Sequence, residues 1–556
     1  MENFGQPQGD ENMKASDLFI RQLEQEGVRY IFGLPGEENL DLIESLRGSS
    51  IRLIVTRHEQ AAAFMAATYG RLTGRAGVCL STLGPGATNL VTGIAHGQLI
   101  GAPVVSVSGQ KALRHNRQGK FQLIDIVSLM KPITKGAVSI ADADMIPTVI
   151  RDAFKTAERE RPGAFHIELP EDVAGEETTA AVQKRHEMRR PTPEKTILDR
   201  AAEMIRQANA PLIFIAGGAN RSLISRALFD FIRKTGIYVV HTQMGKGIIS
   251  DDCPFSLFAT GIHLHDYVHC GIDRADLVIT VGYRTVEYPP FIWNAHLDKR
   301  ILNIDFTPSD TDPHFNPDLE ITGDIATTLR ELTGRLPEKR TFPAFERTRA
   351  LVQSKIDAVI PDTYPLHPQA VVRKVREALG REDILTLDNG IYKLWFSRLY
   401  PAYNPNTLLL DNALATMGAG LPTAMTAKLL MPGKRVLAVC GDGGFMMNSQ
   451  ELETVLRCEL PLVVLILNDN AYGFVKWKQQ KKGFPPFAMD YGNPDFVKYA
   501  ESFGIAGYRL KQGDDLAAVL EKAFASGKTA VVECPIDYSV NYDVFSLELG
   551  NLVCEI

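Results

Sequence analysis

Short apolar runs alternate with amphipathic segments along most of the 556-residue chain. The segment 15–26 has helical periodicity, whereas the runs 53–55, 77–81 and 104–107 have the length and composition of buried strands. Strands that alternate with helices favour a parallel sheet with helices on both of its faces. The sequence therefore predicts an α/β protein built from doubly wound parallel-sheet domains.

Two polar stretches divide this pattern into three similar units. The stretch 174–195 is mixed in charge and closes with two prolines, and the stretch 339–348 interrupts the pattern again. A prior of roughly one domain per 150 residues gives about three or four domains for this length. We predict a disordered tail over 1–12 and domains over 13–175, 196–338 and 365–545.

Charge and composition point to a small-molecule partner. The formal net charge is only −6, which gives no electrostatic reason to expect nucleic acid or an anionic membrane. No apolar run is long enough to span a bilayer, and residues 1–12 lack a secretory pattern. The seven cysteines are scattered without a Cys-x-x-Cys pair, so we expect neither a zinc site nor a disulfide framework. This use of cysteine fits a cytoplasmic location.

Two strand ends carry the strongest chemical pattern. The apolar runs 436–440 and 462–467 lead into polar segments, which are Gly441-Asp442-Gly443-Gly444 and Asn468-Asp469-Asn470. Ligands of open parallel sheets collect at the carboxyl ends of strands, so Asp442 and Asp469 are expected to converge. Carboxylates suit a hard cation, Mg²⁺ or Ca²⁺, and Mg²⁺ characteristically bridges to phosphates. Glycines let backbone N–H groups approach those phosphates. Taken singly, each segment is equally compatible with an ordinary turn or loop.

Together the two segments resemble those of the thiamine diphosphate-dependent enzymes. The resemblance implies thiamine diphosphate as cofactor and Mg²⁺ held by Asp442, Asp469 and the backbone carbonyl of Ala471. It also implies further cofactor contacts, at Pro35, Gly390, Ile391, Tyr392, Ala415, Met417, Gly441, Gly443, Gly444, Tyr472, Gly473 and Phe474. Met417 matches the bulky apolar residue that supports the bent cofactor in that family.

The first unit carries a matching candidate catalytic residue. Glu59 follows the predicted strand 53–55 and precedes an alanine-rich helix, and Leu83-Gly84-Pro85-Gly86 lies further along. In the family, a glutamate at this position bonds the aminopyrimidine ring and favours the tautomer that activates the cofactor. An apolar pocket would raise its pKa and allow that proton exchange. Gln122 matches a second catalytic position, a glutamine that faces the reacting carbon.

The resemblance covers nearly the whole chain and assigns a role to each unit. It implies a pyrimidine-binding domain with Glu59, a central domain, and a diphosphate-binding domain with Asp442 and Asp469. Active sites of this family form between subunits, so a homodimer or homotetramer is implied.

Within the family, the chain is most similar to the catabolic, flavin-independent acetolactate synthases. The stretches that carry this similarity are 282–294, 316–318, 323–325, 499–504 and 535–539. The similarity implies decarboxylation of pyruvate and its ligation to a second 2-keto acid, without FAD. Whether the role is fermentative or belongs to branched-chain amino acid biosynthesis stays open.

Several positions depart from the pattern of those synthases. Leu414 and Ala415 stand where the catabolic enzymes generally carry glutamine, and Phe474 and Lys478 replace a methionine and a glutamine. Arg284 lies where relatives vary. These departures leave open an oxalyl-thioester or aromatic acyl donor, or an aldehyde acceptor, whereas Glu59 argues against glyoxylate carboligase, which lacks that glutamate.

Two function classes outside this family remain as alternatives. A non-catalytic α/β scaffold is one, but a scaffold needs none of the residues Glu59, Asp442 and Asp469. A dinucleotide-dependent dehydrogenase is the other, but no Gly-x-Gly-x-x-Gly follows an early strand with an acidic residue about 20 positions on.

Overall fold

We describe the fold from a computed structural model of the chain. It describes residues 12–114, 119–261, 265–338, 340–361 and 363–554. These fall into two compact units, one with residues up to 189 together with 425–430 and 450–459, and the other with the remaining residues. The predicted tail lies outside the described residues except for Asn12, and so does position 339 of the second predicted linker.

The first unit contains a six-stranded parallel sheet in the order β3-β2-β4-β5-β7-β6. Its strands are β2 (Tyr30–Gly33), β3 (Arg52–Val55), β4 (Gly77–Ser81), β5 (Val104–Gln110), β6 (Ala137–Ser139) and β7 (Ala164–Pro170). Every residue of β4, β5 and β7 is buried, as expected for central parallel strands covered on both faces. A short antiparallel pair, β1 (Met13–Lys14) with β8 (Glu177–Thr178), adds to this unit.

The helices of the first 175 residues connect these strands. They are α1 (Ala15–Gln25), α2 (Leu40–Arg47), α3 (Glu59–Thr73), α4 (Pro85–Ile100), α5 (Ile126–Met130), α6 (Ile146–Glu158) and α7 (Glu171–Ala174). Helix α3 begins where the His58 side chain accepts a hydrogen bond from Gln60 N, and it ends at Gly74, whose φ of 69° suits a residue without Cβ.

The second unit contains two further six-stranded parallel sheets, the first in the order β11-β10-β9-β12-β13-β14. Its strands are β9 (Pro211–Ile215), β10 (Tyr238–His241), β11 (Ser256–Ala259), β12 (Leu277–Val281), β13 (Arg300–Asp305) and β14 (Leu319–Thr322). The helices of this region are α8 (Lys195–Gln207), α9 (Ser222–Thr235), α10 (His269–Ile272), α11 (Pro290–Trp293), α12 (Ile325–Arg335) and α13 (Pro343–Ile356).

The last sheet has the order β16-β15-β17-β18-β20-β19 and is again parallel throughout. Its strands are β15 (Ile384–Leu387), β16 (Leu408–Leu409), β17 (Val436–Gly441), β18 (Val463–Asn468), β19 (Ala506–Arg509) and β20 (Ala530–Pro535). The helices from 368 onward are α14 (Pro368–Ala378), α15 (Tyr392–Leu399), α16 (Gly420–Leu430), α17 (Asp442–Met447), α18 (Leu452–Arg457), α19 (Gly473–Lys481), α20 (Phe496–Ser502) and α21 (Leu516–Ala525). A π-helical segment, Tyr542–Glu548, follows them.

The three predicted parallel-sheet α/β domains are confirmed. The exact domain boundaries stay predictions. The predicted linker 339–348 is wrong in its second half, because Pro343 occupies the first turn of α13, and Phe345 and Thr348 are buried on that helix. A polar composition disguised the buried face of this helix.

No disulfide framework was expected, and the described residues contain one disulfide. Cys270 and Cys554 are bonded, although 284 positions separate them. A Cys-x-x-Cys search cannot find such a pair, because the C-terminal segment returns to α10 only in the folded chain. Among the described residues, no helix is long and apolar enough to cross a membrane.

Candidate active site

Asp442 lies where β17 ends, and four groups converge on its carboxylate. Asp442 Oδ1 accepts hydrogen bonds from Gly443 N at 2.8 Å and from the Tyr491 hydroxyl at 3.0 Å. Oδ2 accepts from Asn470 N at 2.8 Å and from Asn493 Nδ2 at 2.7 Å. The residue is 2% exposed, and burial raises the pKa of its carboxyl above the ordinary value. The strand end therefore presents a desolvated carboxylate in a fixed orientation.

Asp469 follows the neighbouring strand. Because β17 and β18 are parallel and pair Gly441 with Leu467, both strands end at the same edge of the sheet. Burial raises the pKa of Asp469 to about 7, and the charge of Asp442 adds to this effect. Two carboxylates that repel each other in a half-buried site form a donor set for a hard divalent cation.

The Ala471 carbonyl converges with Asp442. The Tyr491 hydroxyl lies 3.1 Å from Ala471 O and 3.0 Å from Asp442 Oδ1, so both oxygens are within reach of one atom. The structure thus brings together the oxygen atoms that the sequence singled out at the two strand ends.

A cavity of about 360 Å³ opens at this edge of the sheet. All fourteen cofactor-binding candidates of the last domain line it, namely Gly390, Ile391, Tyr392, Ala415, Met417, Gly441, Asp442, Gly443, Gly444, Asp469, Ala471, Tyr472, Gly473 and Phe474. They come from four separate chain segments, so only the fold can assemble them. Pro35, Glu59 and Gln122 belong to the other unit.

Two glycines in the wall of this cavity lie close to side chains of the site. A Cβ on Gly443 would lie 2.6 Å from the Tyr491 hydroxyl oxygen, and a Cβ on Gly473 would lie 2.8 Å from Asp469 Oδ2. Any side chain there would displace the groups around the two carboxylates.

Asp388, which the sequence analysis missed, shapes the loop that carries Met417. Its carboxylate accepts hydrogen bonds from Gly418 N at 2.9 and 3.0 Å and from Asn389 N at 2.7 Å. Burial raises the pKa of this carboxyl to about 6. The neighbouring Ala415 has a φ of 54°, and Asp411 Oδ2 accepts from its N–H at 2.7 Å. Asp411 thus holds a strained alanine at the cavity, and Asp388 holds the backbone at Gly418 in the same loop.

Lys393 is a second residue that the sequence analysis missed. It lines the cavity and is buried, and its Nζ donates to Asn389 Oδ1 at 2.6 Å, Asp411 O at 2.7 Å and Asn412 Oδ1 at 3.2 Å. Burial lowers the pKa of this amine to about 8. Its partners lie within 20 positions, but nothing in a lone lysine of an α-helix indicates that it turns inward.

Glu59 is the first residue of α3 and is 8% exposed. Its Oε2 accepts a hydrogen bond from Asn89 Nδ2 at 2.9 Å. A Cβ on Gly86 would lie 3.3 Å from Glu59 Oε1, so the glycine leaves space beside that oxygen. The carboxyl is therefore oriented by Asn89, and Gly86 packs beside its other oxygen.

Glu451 fixes the backbone that leads into Glu59. Its Oε1 accepts from Arg57 N and His58 N, both at 3.0 Å, and its Oε2 accepts from Arg57 N at 3.2 Å. Glu451 is fully buried, and burial raises the pKa of its carboxyl. The contact joins positions 394 residues apart, so sequence spacing could not reveal it.

Gln122 and Pro35 occupy exposed loops of the first unit. Gln122 has a φ of 56°, and its carbonyl oxygen would lie 2.6 Å from a Cβ on Gly84. Pro35 follows β2 directly after Leu34. The roles of Gln122 and Pro35, like those of all the site residues, stay predictions.

Comparisons with known proteins agree with this fold. The N-terminal TPP binding domain, the central domain and the C-terminal TPP binding domain of thiamine pyrophosphate enzymes match residues 13–129, 198–332 and 388–534. The chain therefore belongs to the thiamine pyrophosphate enzyme family.

Individual relatives indicate the type of enzyme within this family. The chain is 32% identical to an acetolactate synthase of Bacillus subtilis over 547 residues, which cover 96% of this chain and 95% of the relative. It is 34% identical to a catabolic acetolactate synthase of Raoultella terrigena, covering 95% of this chain and 96% of the relative. A probable acetolactate synthase large subunit of Methanocaldococcus jannaschii is 34% identical, covering 94% and 92%. The protein is an enzyme of the acetolactate synthase type.

The contacts of Glu451 yield a first prediction. Glu451→Ala removes the acceptor of two backbone N–H groups, and an unsatisfied group of this kind costs about 1–3 kcal/mol. We expect faster hydrogen exchange at Arg57 and His58, measured by mass spectrometry. The control is Glu453→Ala, which removes a half-exposed acid that pairs with Arg457 on the same helix and should leave that exchange unchanged. Equal exchange in Glu451→Ala and the unmodified protein would contradict this account.

Proposed function

We propose that the protein uses thiamine diphosphate and Mg²⁺ to convert two molecules of pyruvate into acetolactate and CO₂. Pyruvate loses its carboxylate as CO₂, and the electron pair left on C2 forms a bond to the keto carbon of the second pyruvate. The oxygen of that keto group takes up a proton, which completes the hydroxyl group of the product. The observation that carries the proposal is the cavity in which Asp442, Asp469 and glycine backbone face one another.

The residues of the cavity fit the cofactor. Asp442, Asp469 and the Ala471 carbonyl would hold Mg²⁺, since hard oxygen donors suit that ion and two adjacent carboxylates need a neutralising charge. Gly443 and Gly473 line the cavity, where glycine backbone would approach a diphosphate. When bound, thiamine diphosphate supplies the electron sink for the decarboxylation.

The chain's own residues orient the reactants and handle the proton. Glu59 Oε1 would exchange a proton with the pyrimidine ring while Asn89 holds Oε2. Ile391 and Met417 give the cavity apolar walls that exclude water. Gln122 is the candidate for a contact with the substrate.

Assembly and location are also proposals. The family resemblance supports a homodimer or homotetramer with active sites shared between subunits. A cytoplasmic location was expected from the sequence, but the Cys270–Cys554 bond does not support it, because disulfides are rare in reducing compartments.

We also propose that the protein works without FAD. The glycine-rich loop after β9 is the place where the central sheet could take a nucleotide phosphate. There, Glu287 Oε2 accepts hydrogen bonds from Gly217 N at 2.8 Å and from Thr242 Oγ1 at 2.9 Å. A carboxylate that already uses this backbone donor would repel a diphosphate.

The flavin proposal is tested by the absorption spectrum of the purified protein. We expect no absorption band at about 450 nm, where oxidised flavins absorb. A stoichiometric band at that wavelength, lost with the ligand on denaturation, would contradict the proposal.

The catalytic proposal is tested by Glu59→Gln. The amide cannot exchange the proton, so CO₂ release from pyruvate should fall by at least about 100-fold. Binding of thiamine diphosphate, measured by calorimetry, should persist. Glu44→Gln removes an exposed acid of the same unit that pairs with Arg47 and should keep full activity. Full activity of Glu59→Gln would refute the role of this residue.

A further inference from the structure

The Cys270–Cys554 bond ties the C-terminal end of the described chain to α10. Cys270 is fully buried, whereas Cys554 is half-buried and is the last residue that the structure describes. Just before it, Asn551 donates to Leu547 O of the same segment, through its backbone N–H at 3.2 Å and through Nδ2 at 2.8 Å. The disulfide therefore provides a covalent attachment of these last residues to another part of the fold.

The disulfide lies where a reagent in solution can reach it. Both cysteines line one cleft of about 770 Å³. The other five cysteines are free thiols and are buried. Burial raises the pKa of Cys534, for example, to about 12, so this thiol stays protonated and unreactive. A thiol reagent is therefore expected to act on this disulfide before it acts on the free cysteines.

A histidine lies beside the more exposed sulfur atom. His265 Nε2 is 2.8 Å from Asp273 Oδ2, and a nitrogen of His265, a carboxylate oxygen of Asp273 and Cys554 Sγ all lie within 4.8 Å of one another. A neighbouring imidazole stabilises a thiolate when it is protonated. His265 is thus placed to stabilise Cys554 as a thiolate once the bond opens.

The segment that the disulfide attaches also supports the wall of the candidate active site. Phe545 of the π-helical segment is fully buried, and its ring packs edge to face on Trp477 of α19 with centroids 5.7 Å apart. Trp477 Nε1 donates to Ser546 Oγ at 3.2 Å, and Trp477 lines the cavity. A change in the order of this segment therefore reaches the cavity through Trp477.

Glu548 makes the polar contacts between this segment and the region around α10. The Tyr267 hydroxyl donates to its carboxylate, and Lys355 Nζ donates to it at 2.8 Å. The side chains of Lys355 and Glu548 are both 40% exposed, and an ion pair as exposed as this contributes little to stability. These contacts orient the segment, but they are much weaker than a covalent bond.

We propose that the Cys270–Cys554 bond is a redox-controlled clamp. In the closed, oxidised state the C-terminal segment supports Trp477 and the enzyme is fully active. Reduction by a dithiol protein opens the bond, loosens the segment and lowers the activity. The effect on activity rests on the proposed function, whereas the effect on the order of the segment does not.

The reduction takes place by thiol–disulfide exchange. A thiolate of the reductant attacks Cys554 Sγ, the more exposed sulfur, and Cys270 leaves as a thiolate that takes up a proton. The second thiol of the reductant then attacks the sulfur of its own mixed disulfide and releases Cys554 beside His265, where this thiolate also takes up a proton. Two electrons pass to the two cysteines, and the reductant becomes a disulfide.

The test compares the oxidised protein with the protein treated with dithiothreitol, a small dithiol. Peptide mapping without reductant should first show the Cys270 peptide linked to the Cys554 peptide. After reduction, hydrogen exchange measured by mass spectrometry should become at least about tenfold faster in 542–554 and at least about threefold faster in α19. Exchange in α21, which lies outside this chain of contacts, should stay unchanged. The kcat for CO₂ release from pyruvate should fall by at least about threefold.

Two variants separate the clamp from a general effect of dithiothreitol. Cys554→Ser changes a half-buried residue at the end of the described chain, so we expect it to fold. It should show the fast exchange and the lower kcat of the reduced protein, with or without dithiothreitol. The matched control is Cys458→Ser, which removes a free cysteine just after α18 and should respond to dithiothreitol as the unmodified protein does.

The outcomes distinguish the clamp from the proposed function. If the unmodified protein releases no CO₂ from pyruvate with thiamine diphosphate and Mg²⁺, the proposed function fails, and hydrogen exchange still tests the clamp. If CO₂ is released, the clamp is refuted by any of three results, and the proposed function stands. These are the absence of the linked peptides, unchanged exchange in 542–554 and α19 after reduction, and an unchanged kcat.

Discussion

The candidate active site depends on two acidic side chains that the fold holds beside each other out of water. Because β17 and β18 pair in parallel, both strands end at the same edge of the sheet. Asp442 and Asp469 follow these strand ends and therefore lie at that edge together. Burial and the charge of Asp442 raise the pKa of Asp469 to about 7, as expected for two carboxylates that repel each other. Tyr491 and Asn493 donate to Asp442, but a neutral donor cannot compensate two negative charges. A divalent cation would offset this repulsion and attract a diphosphate.

The surroundings of the two carboxylates are rigid for identifiable reasons. Ala415 and Asn470 both adopt positive φ, at 54° and 53°, and both lie within or next to the cavity. Such strain persists only where other contacts enforce it. Asp411 accepts the N–H of Ala415, and Asp442 accepts the N–H of Asn470, so the acids of the site also fix its backbone. Acidic side chains thus supply the charge of the site and also hold its strained backbone in place.

The sequence predicts the sheets and the two strand ends well, because both depend on local pattern. The apolar run 77–81 identified β4 at its observed bounds, and a polar segment that follows such a run is enough to indicate Asp442 and Asp469. Glu451 could not be found this way, since its contact with Arg57 spans 394 positions. Asp388 and Lys393 were missed because burial turns them inward. The sequence analysis also missed the Cys270–Cys554 bond and the start of α13, because tertiary contacts decide both.

The central claim is that the paired carboxylates bind thiamine diphosphate through a metal ion. Calorimetric titration of the metal-free protein with thiamine diphosphate, with and without Mg²⁺, tests it most directly. The account predicts binding of one cofactor per chain when Mg²⁺ is present, and a loss of at least about tenfold in affinity when EDTA replaces it. Equal affinity under both conditions, or no binding in either, would contradict it.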